Sequence, residues 1–198
     1  PSFGLDHDNF IGTLAQPNTP ASTWAEFYGK QRLGTQLTLA RNQGRASTRF
    51  IRVIEALIER LPELVGDEEH PARLHGDLWS GNLHKTSEGL PALIDPAVYG
   101  GHREMDLAMM RLFGGFSERV FDAYHATYPL LSDHTERVPL YQLYPLYPTR
   151  STSSTCSSLL ALPALPALPY PFCQLDPLYP TRSTSSTCST PTALPALP

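Results

Sequence analysis

Thirteen residues, Pro145 to Ser157 (PLYPTRSTSSTCS), recur letter for letter from Pro177 to Ser189, and ALPALPALP at 161–169 returns as ALPALP at 193–198. Structural repeats of comparable period diverge in sequence while keeping an apolar face. Identical copies with neither helical nor strand periodicity carry no such face. Proline at every third position favours extended polyproline II, and Ser/Thr runs bury too little surface to order themselves. Residues 145–198 hold 11 of the 20 prolines, all three cysteines and only three charges, Arg150, Asp176 and Arg182. This stretch is expected to be a disordered Pro/Ser/Thr-rich tail, either a bare appendage or the product of a shifted reading frame rather than a linker or docking segment. Any core must then be built from residues 1–144. The three cysteines lie at no metal-like spacing and do not suggest a disulfide framework.

The body, 1–144, carries 13 Lys and Arg against 18 Asp and Glu and no cysteine. That acidic balance argues against a nucleic-acid partner, because phosphate neutralisation requires clustered basic residues. No apolar run approaches the ~18 residues of a membrane span, and no basic segment precedes an apolar one at the start. The expectation is a cytoplasmic, monomeric domain with neither membrane nor nucleic acid as partner.

Residues 1–20 read as an irregular lead-in. Thr23-x-x-Glu26 resembles a capping box and predicts a helix from Trp24 to about Ala40, with Trp24, Phe27, Tyr28 and Leu37 as its buried stripe. Phe50, Ile51, Ile54, Leu57, Ile58 and Leu61, spaced three and four apart, predict a second helix from about Ser47 to Leu61, ended by Gly66 and the acidic run after it. Leu83-His84 and Ala92-Leu93-Ile94 read as short strands around a turn at 85–89. Helices follow at about 104–113, stopped by Gly114-Gly115, and from Ser117 to Tyr128. The fold class is therefore α+β, mostly α-helical, with one short β-hairpin.

Between the second helix and the hairpin lies His75-Gly76-Asp77-x-x-x-x-Asn82, and Asp95 follows Asn82 by thirteen residues. Phosphoryl transfer needs a carboxylate to orient and deprotonate an attacking hydroxyl, oxygen ligands for Mg²⁺, and positioned phosphates. An Asp with an Asn five residues on can supply the first and part of the second. A hairpin that returns the chain to the same place adds Asp95. One amide and one carboxylate suit Mg²⁺, which keeps few protein ligands. The Asp–Asn spacing matches the catalytic loop of kinases, with Gly76 where protein kinases carry Arg.

The form HGD-x-x-x-x-N followed by Ile-Asp-Pro resembles the aminoglycoside phosphotransferase and choline kinase group. LHGDLWSGNL, IDPAVYGGHREMDLAMMRLFGGF and FDAYHATYP, with DNFIGTLAQPN and TWAEFYGKQRL upstream, are similar to the fructosamine kinase (ketosamine kinase) family over about residues 3–144. The resemblance implies a protein-kinase-like C-terminal lobe whose hairpin carries the catalytic and metal residues. It also implies ATP-dependent phosphorylation of a sugar hydroxyl on a ketosamine, free or on a protein lysine. It makes Asp77 the catalytic base and Asn82 and Asp95 the Mg²⁺ ligands. Trp79 is expected to stack on the sugar, and His102 to contact substrate or position the metal loop. His75 is read as a brace of the loop, and Glu104 and Asp106 as structural carboxylates at a helix start. A complete kinase of this group begins with an N-terminal lobe bearing a nucleotide-covering loop and a phosphate-binding Lys. Lys30 and Lys85 are in the wrong places for that role, so the chain is expected to be a C-terminal lobe without its N-terminal one. The alternatives are a non-catalytic lobe fragment, or a related aminoglycoside- or choline-type phosphotransferase.

Overall fold

The longest interior helix starts at Ser47, whose hydroxyl accepts the Phe50 amide proton at 3.2 Å. The computed structural model describes residues 2–67 and 69–149, so the repeat-bearing stretch from Arg150 onward lies outside the described residues. In chain order the elements are β1 (Asn9–Ile11), β2 (Leu14–Gln16), α1 (Trp24–Phe27), a π-helical stretch (Tyr28–Gly34), α2 (Thr35–Asn42), α3 (Thr48–Leu64), β3 (Ala72–Leu74), a 3₁₀ turn (Ser80–Asn82), β4 (Leu83–Lys85), β5 (Pro91–Leu93), β6 (Tyr99–Gly101), α4 (Glu104–Phe113), α5 (Glu118–Thr127) and α6 (His134–Thr149). α6 runs across the composition break expected at residue 144.

The two predicted N-terminal helices are present, the first with its expected cap. Thr23 Oγ1 accepts from the Glu26 amide at 3.2 Å. From there the backbone stays helical to Asn42, but residues 28–34 widen into a π-helix. Gly29 lets this stretch press onto α3, since a Cβ there would stand 3.1 Å from Leu61 Cδ1 and 3.2 Å from Ile58 Cγ2. α3 buries Phe50, Ile54, Leu57 and Leu61, accommodates Pro62 and stops before Gly66 at φ +76°. A side chain at Gly66 would collide with the Arg137 guanidinium of α6.

One core joins these parts, built on Trp24, Phe27, Tyr28, Leu33, Ile54, Leu57, Leu61, Tyr99, Tyr141 and Tyr144 among others. A smaller cluster of Leu107, Met110 and Phe121 lies beneath Leu78 and Phe116. Glu104 and Arg137 form a bidentate pair of 2.7 and 2.9 Å between α4 and α6, each side chain only 5% exposed. Breaking a pair buried to this degree would strand a charge.

Instead of a single hairpin, the described residues form three two-stranded antiparallel ladders: β1–β2, β3–β6 and β4–β5. The predicted hairpin is β4–β5, in register Leu83 with Leu93 and Lys85 with Pro91. The lead-in that reads as irregular contains β1–β2, whose strands are three residues each and lack apolar alternation. Side-chain amides hold it in place. Asn9 Nδ2 donates to the Val98 carbonyl (2.9 Å), Gln16 Nε2 to Asn9 Oδ1 (2.8 Å) and to the Ala97 carbonyl (3.2 Å), and the Tyr144 hydroxyl to Gln16 Oε1 (2.8 Å). Arg32, unexpected in the buried stripe, joins this network. Its guanidinium lies 4.0 Å from the Tyr99 ring centroid and donates to the Pro17 carbonyl (2.7 Å) and Asn18 Oδ1 (2.8 Å). Cation–π contact and carbonyl acceptors make a fully buried guanidinium tolerable.

Candidate active site

The loop after β3 is held by groups distant in sequence. Gly76 adopts φ +81°, and a Cβ there would lie 2.0 Å from the Ala97 carbonyl oxygen, so only glycine fits. Both amides at this turn are taken by one carboxylate of α4. Asp106 Oδ2 accepts from His75 N (2.8 Å) and Oδ1 from Gly76 N (2.9 Å). The His75 ring spans two segments. Its Nε2 lies 3.0 Å from the Ile94 carbonyl, and its Nδ1 accepts from the Asp77 amide at 3.3 Å. One neutral tautomer, with the proton on Nε2, satisfies both contacts. His75 therefore ties the Asp77 loop to the end of β5, as a brace would.

Asn82 closes the loop. Its Nδ2 donates to the Asp77 carbonyl at 2.9 Å and approaches Asp77 Oδ2 at 3.3 Å. The Ile94 amide donates to the Asn82 carbonyl at 3.0 Å, which delivers the next residue, Asp95, to the same neighbourhood. Asp95 is the one non-glycine residue at positive φ (52°) among the described residues, and it is solvent-exposed. Asp and Asn tolerate this left-handed conformation better than most side chains. Burial pushes the Asp77 carboxyl above the usual Asp value, with the Asn82 hydrogen bond and His75 opposing and Asp95 adding to the rise. Burial likewise raises Asp106 against the lowering effect of the two amides it accepts from.

Trp79 stands on the rim, 41% exposed, edge-on to Phe113 with centroids 6.3 Å apart. Its indole lies over Gly81, where a Cβ would fall 2.2 Å from the ring. Gly115, at φ +87°, brings the turn after α4 against Ser80, within 2.3 Å of where its own Cβ would be. Asp77, Trp79, Asn82 and Asp95 are thus gathered on one loop and hairpin. His102 is placed elsewhere. It follows β6 at the end of the β3–β6 ladder away from the loop, is 1% exposed, and packs on Tyr141 (5.7 Å between centroids) and Trp24 (6.1 Å). The structure therefore does not bring His102 together with Asp77, Asn82 and Asp95. Lys30 pairs with Glu26 on the surface at 2.8 Å, and Lys85 sits exposed in β4.

The residue that the sequence reading underrated is Asp106. Its place in the first turn of α4 suggests an ordinary helix-dipole carboxylate, and nothing in the local sequence says that the turn faces the backbone at 75–76.

Residues 1–149 match the sequence model of the fructosamine kinase family. The chain belongs to that family. Within it, this fructosamine kinase family member is 43% identical over 142 residues to the Escherichia coli (strain K12) protein named Probable ketoamine kinase YniA, covering 72% of this chain and 48% of that protein. It is 44% identical over 145 residues to a Lactiplantibacillus plantarum protein named Probable ketoamine kinase, covering 71% and 50%. A crystal structure assigned as a fructosamine-3-kinase from Thermobifida fusca superposes with a TM-score of 0.71 at 45% identity, over 76% of this chain and 52% of that one. The chain spans about half the length of the curated relatives it matches. Among its described residues no helix is long and apolar enough to cross a membrane.

Proposed function

We propose that this chain supplies the catalytic-loop lobe of an ATP-dependent kinase that phosphorylates a sugar hydroxyl of a ketosamine. The observation that carries the reading is the Asp77–Asn82 lock, with Asp95 delivered beside it by the β4–β5 hairpin. Asp77 is the base: its carboxylate accepts the proton of the attacking hydroxyl, and its raised pKa makes it a better acceptor than an ordinary Asp. Holding that carboxylate through Asn82 and through the loop amides on Asp106 fixes its orientation before substrate arrives, which is where positioning lowers a barrier.

The donor set fits Mg²⁺. Asn82 uses its amide nitrogen on Asp77, which leaves Oδ1 as its ligating atom, and the exposed Asp95 carboxylate is a second hard oxygen. Among the described residues no group of three or more His, Cys, Asp or Glu could hold a metal, so the remaining ligands would be nucleotide phosphates and water. When bound, the ion would offset charge on the transferring phosphoryl group. The Trp79–Phe113 corner gives an apolar face against which the carbon side of a sugar ring can lie. Cytoplasmic ATP is the phosphoryl donor in this reading, and a free or protein-borne ketosamine the acceptor.

A chimera tests it. Residues 1–149 of this chain replace the matching segment of the E. coli relative, and phosphate transfer from ATP-Mg²⁺ to fructosyl-lysine is followed. Turnover that vanishes with Asp77→Asn while the protein stays folded supports the proposal. Turnover that survives Asp77→Asn refutes the assigned base, and a folded chimera inert toward every ketosamine refutes the substrate class.

A further inference from the structure

Asp95 is solvent-exposed, as are residues 93–96 around it, so its position has to be set by the backbone on either side. Before it, the Ile94 amide donates to the Asn82 carbonyl at 3.0 Å. After it, Pro96 has no amide proton to give, and the chain is next held at Ala97, which is 2% exposed. The Ala97 amide donates to the His75 carbonyl at 2.8 Å, which joins this segment to the Asp77 loop. The Ala97 carbonyl accepts from Gln16 Nε2 at 3.2 Å, and the Val98 carbonyl from Asn9 Nδ2 at 2.9 Å. Gln16 is fully buried. Its Nε2 also donates to Asn9 Oδ1 at 2.8 Å, and its Oε1 takes the Tyr144 hydroxyl at 2.8 Å. Backbone carbonyls only accept, so both amide side chains can stand only one way round.

We infer that Gln16 and Asn9 are positioning residues for Asp95, on the reading of that carboxylate as a magnesium ligand. Two residues of extended chain span at most about 7 Å, so a fixed Ala97 confines Asp95 to a short arc. Asp95 needs that hold. It sits at φ +52°, a conformation that persists in a non-glycine residue only where the surroundings impose it. Because Ala97 is bonded to His75 as well, one clamp sets the Asp77 loop and the Asp95 arm relative to each other. Mg²⁺ demands near-ideal octahedral geometry, so the separation of its protein ligands matters more than their mere presence. The clamp comes from β1–β2, 81 and 89 positions away in sequence.

The test uses Gln16→Met, which keeps the length of the side chain and deletes both of its donated bonds. In the full chain, labelled with ¹⁵N, the Ala97 amide should lose about ten-fold in hydrogen-exchange protection while the Leu57 amide of α3 keeps its own. At positive φ the Asp95 amide proton lies close to its own Hα, and the resulting intense cross-peak should weaken in the variant. In the chimera, the Mg²⁺ concentration for half-maximal turnover should rise about five-fold while KM for fructosyl-lysine stays at the parent value. Should Gln16→Met fail to fold, Asn9→Ser, at a partly exposed position, should give the same pattern. Side chains that merely stabilise the fold would lower Ala97 and Leu57 protection together and leave the Asp95 cross-peak and the Mg²⁺ dependence alone. That result overturns the inference, as does a variant indistinguishable from its parent. An inert parent chimera counts against the kinase reading only, and the exchange and cross-peak measurements then decide whether Gln16 holds Asp95.

Discussion

Replacing Asp106 by Asn changes one carboxylate into an amide of nearly the same shape. The native side chain accepts from two backbone amides, His75 N at 2.8 Å and Gly76 N at 2.9 Å. Asn keeps one acceptor oxygen and turns an NH₂ toward the other amide. The loss comprises one charge-assisted hydrogen bond, about 1.5–3 kcal/mol, and one stranded donor, about 1–3 kcal/mol. Against this stands the relief of burying a charge, which already pushes the Asp106 carboxyl upward. The balance is a destabilisation of about 2–4 kcal/mol, a large part of the ~5–15 kcal/mol that holds a domain of this kind folded. Urea unfolding should show a lower midpoint with an unchanged slope. Amide hydrogen exchange should show the loss concentrated at His75 and Gly76. A variant less than about 0.5 kcal/mol weaker than the parent, with both amides still protected, would refute the view that α4 holds the loop.

Three further outcomes follow from the same geometry. Arg103 grips Glu69 with two bonds of 2.7 and 2.8 Å and holds its carboxyl below the ordinary Glu value. Because the folded pKa is depressed, this stabilisation is present above the ordinary Glu range and is lost as pH falls through the folded pKa. Glu69→Gln should therefore lie below the parent in stability at pH 7 and converge with it in acid, as read by melting temperature across pH. Leu57, fully buried on α3, should cost about 2–5 kcal/mol as Ala in denaturant unfolding. Gly81→Ala places a Cβ 2.2 Å from the Trp79 ring, which has open solvent to swing into. It should increase acrylamide quenching of tryptophan fluorescence while lowering stability by less than about 1 kcal/mol.

The helices were legible in the sequence because their signals are local. Ser47 and Thr23 cap where capping chemistry says, and the three-and-four spacing of Phe50, Ile54, Leu57 and Leu61 marks the buried face. The Asp77, Asn82 and Asp95 constellation was legible because its members lie on one loop and one hairpin. What escaped is non-local. β1–β2 depends on amide side chains reaching Ala97 and Val98, more than eighty residues away, and no periodicity encodes that contact. Arg32 reads as a surface cation until three aromatic rings and two carbonyl-type oxygens close around it. His102, beside two glycines and near the motif in sequence, lies at the far end of the β3–β6 ladder because an antiparallel pair carries its two ends in opposite directions.

The π-helical stretch at Tyr28–Gly34 bears on how this lineage can change its length. A π turn holds more chain per revolution than an α turn, so such a stretch behaves as an absorbed insertion. Removing one residue there would let that turn relax to the ordinary α-helical ladder while the residues on either side keep their register, because the extra residue is what the wider turn absorbs. Tyr28 before it and Arg32 and Leu33 after it would stay on the buried face. Lys30 illustrates the point. As an exposed surface cation its identity is nearly free, since exchanging it alters only a solvent-facing pair with Glu26. Substitutions and a one-residue gap alike should therefore appear at that position among relatives.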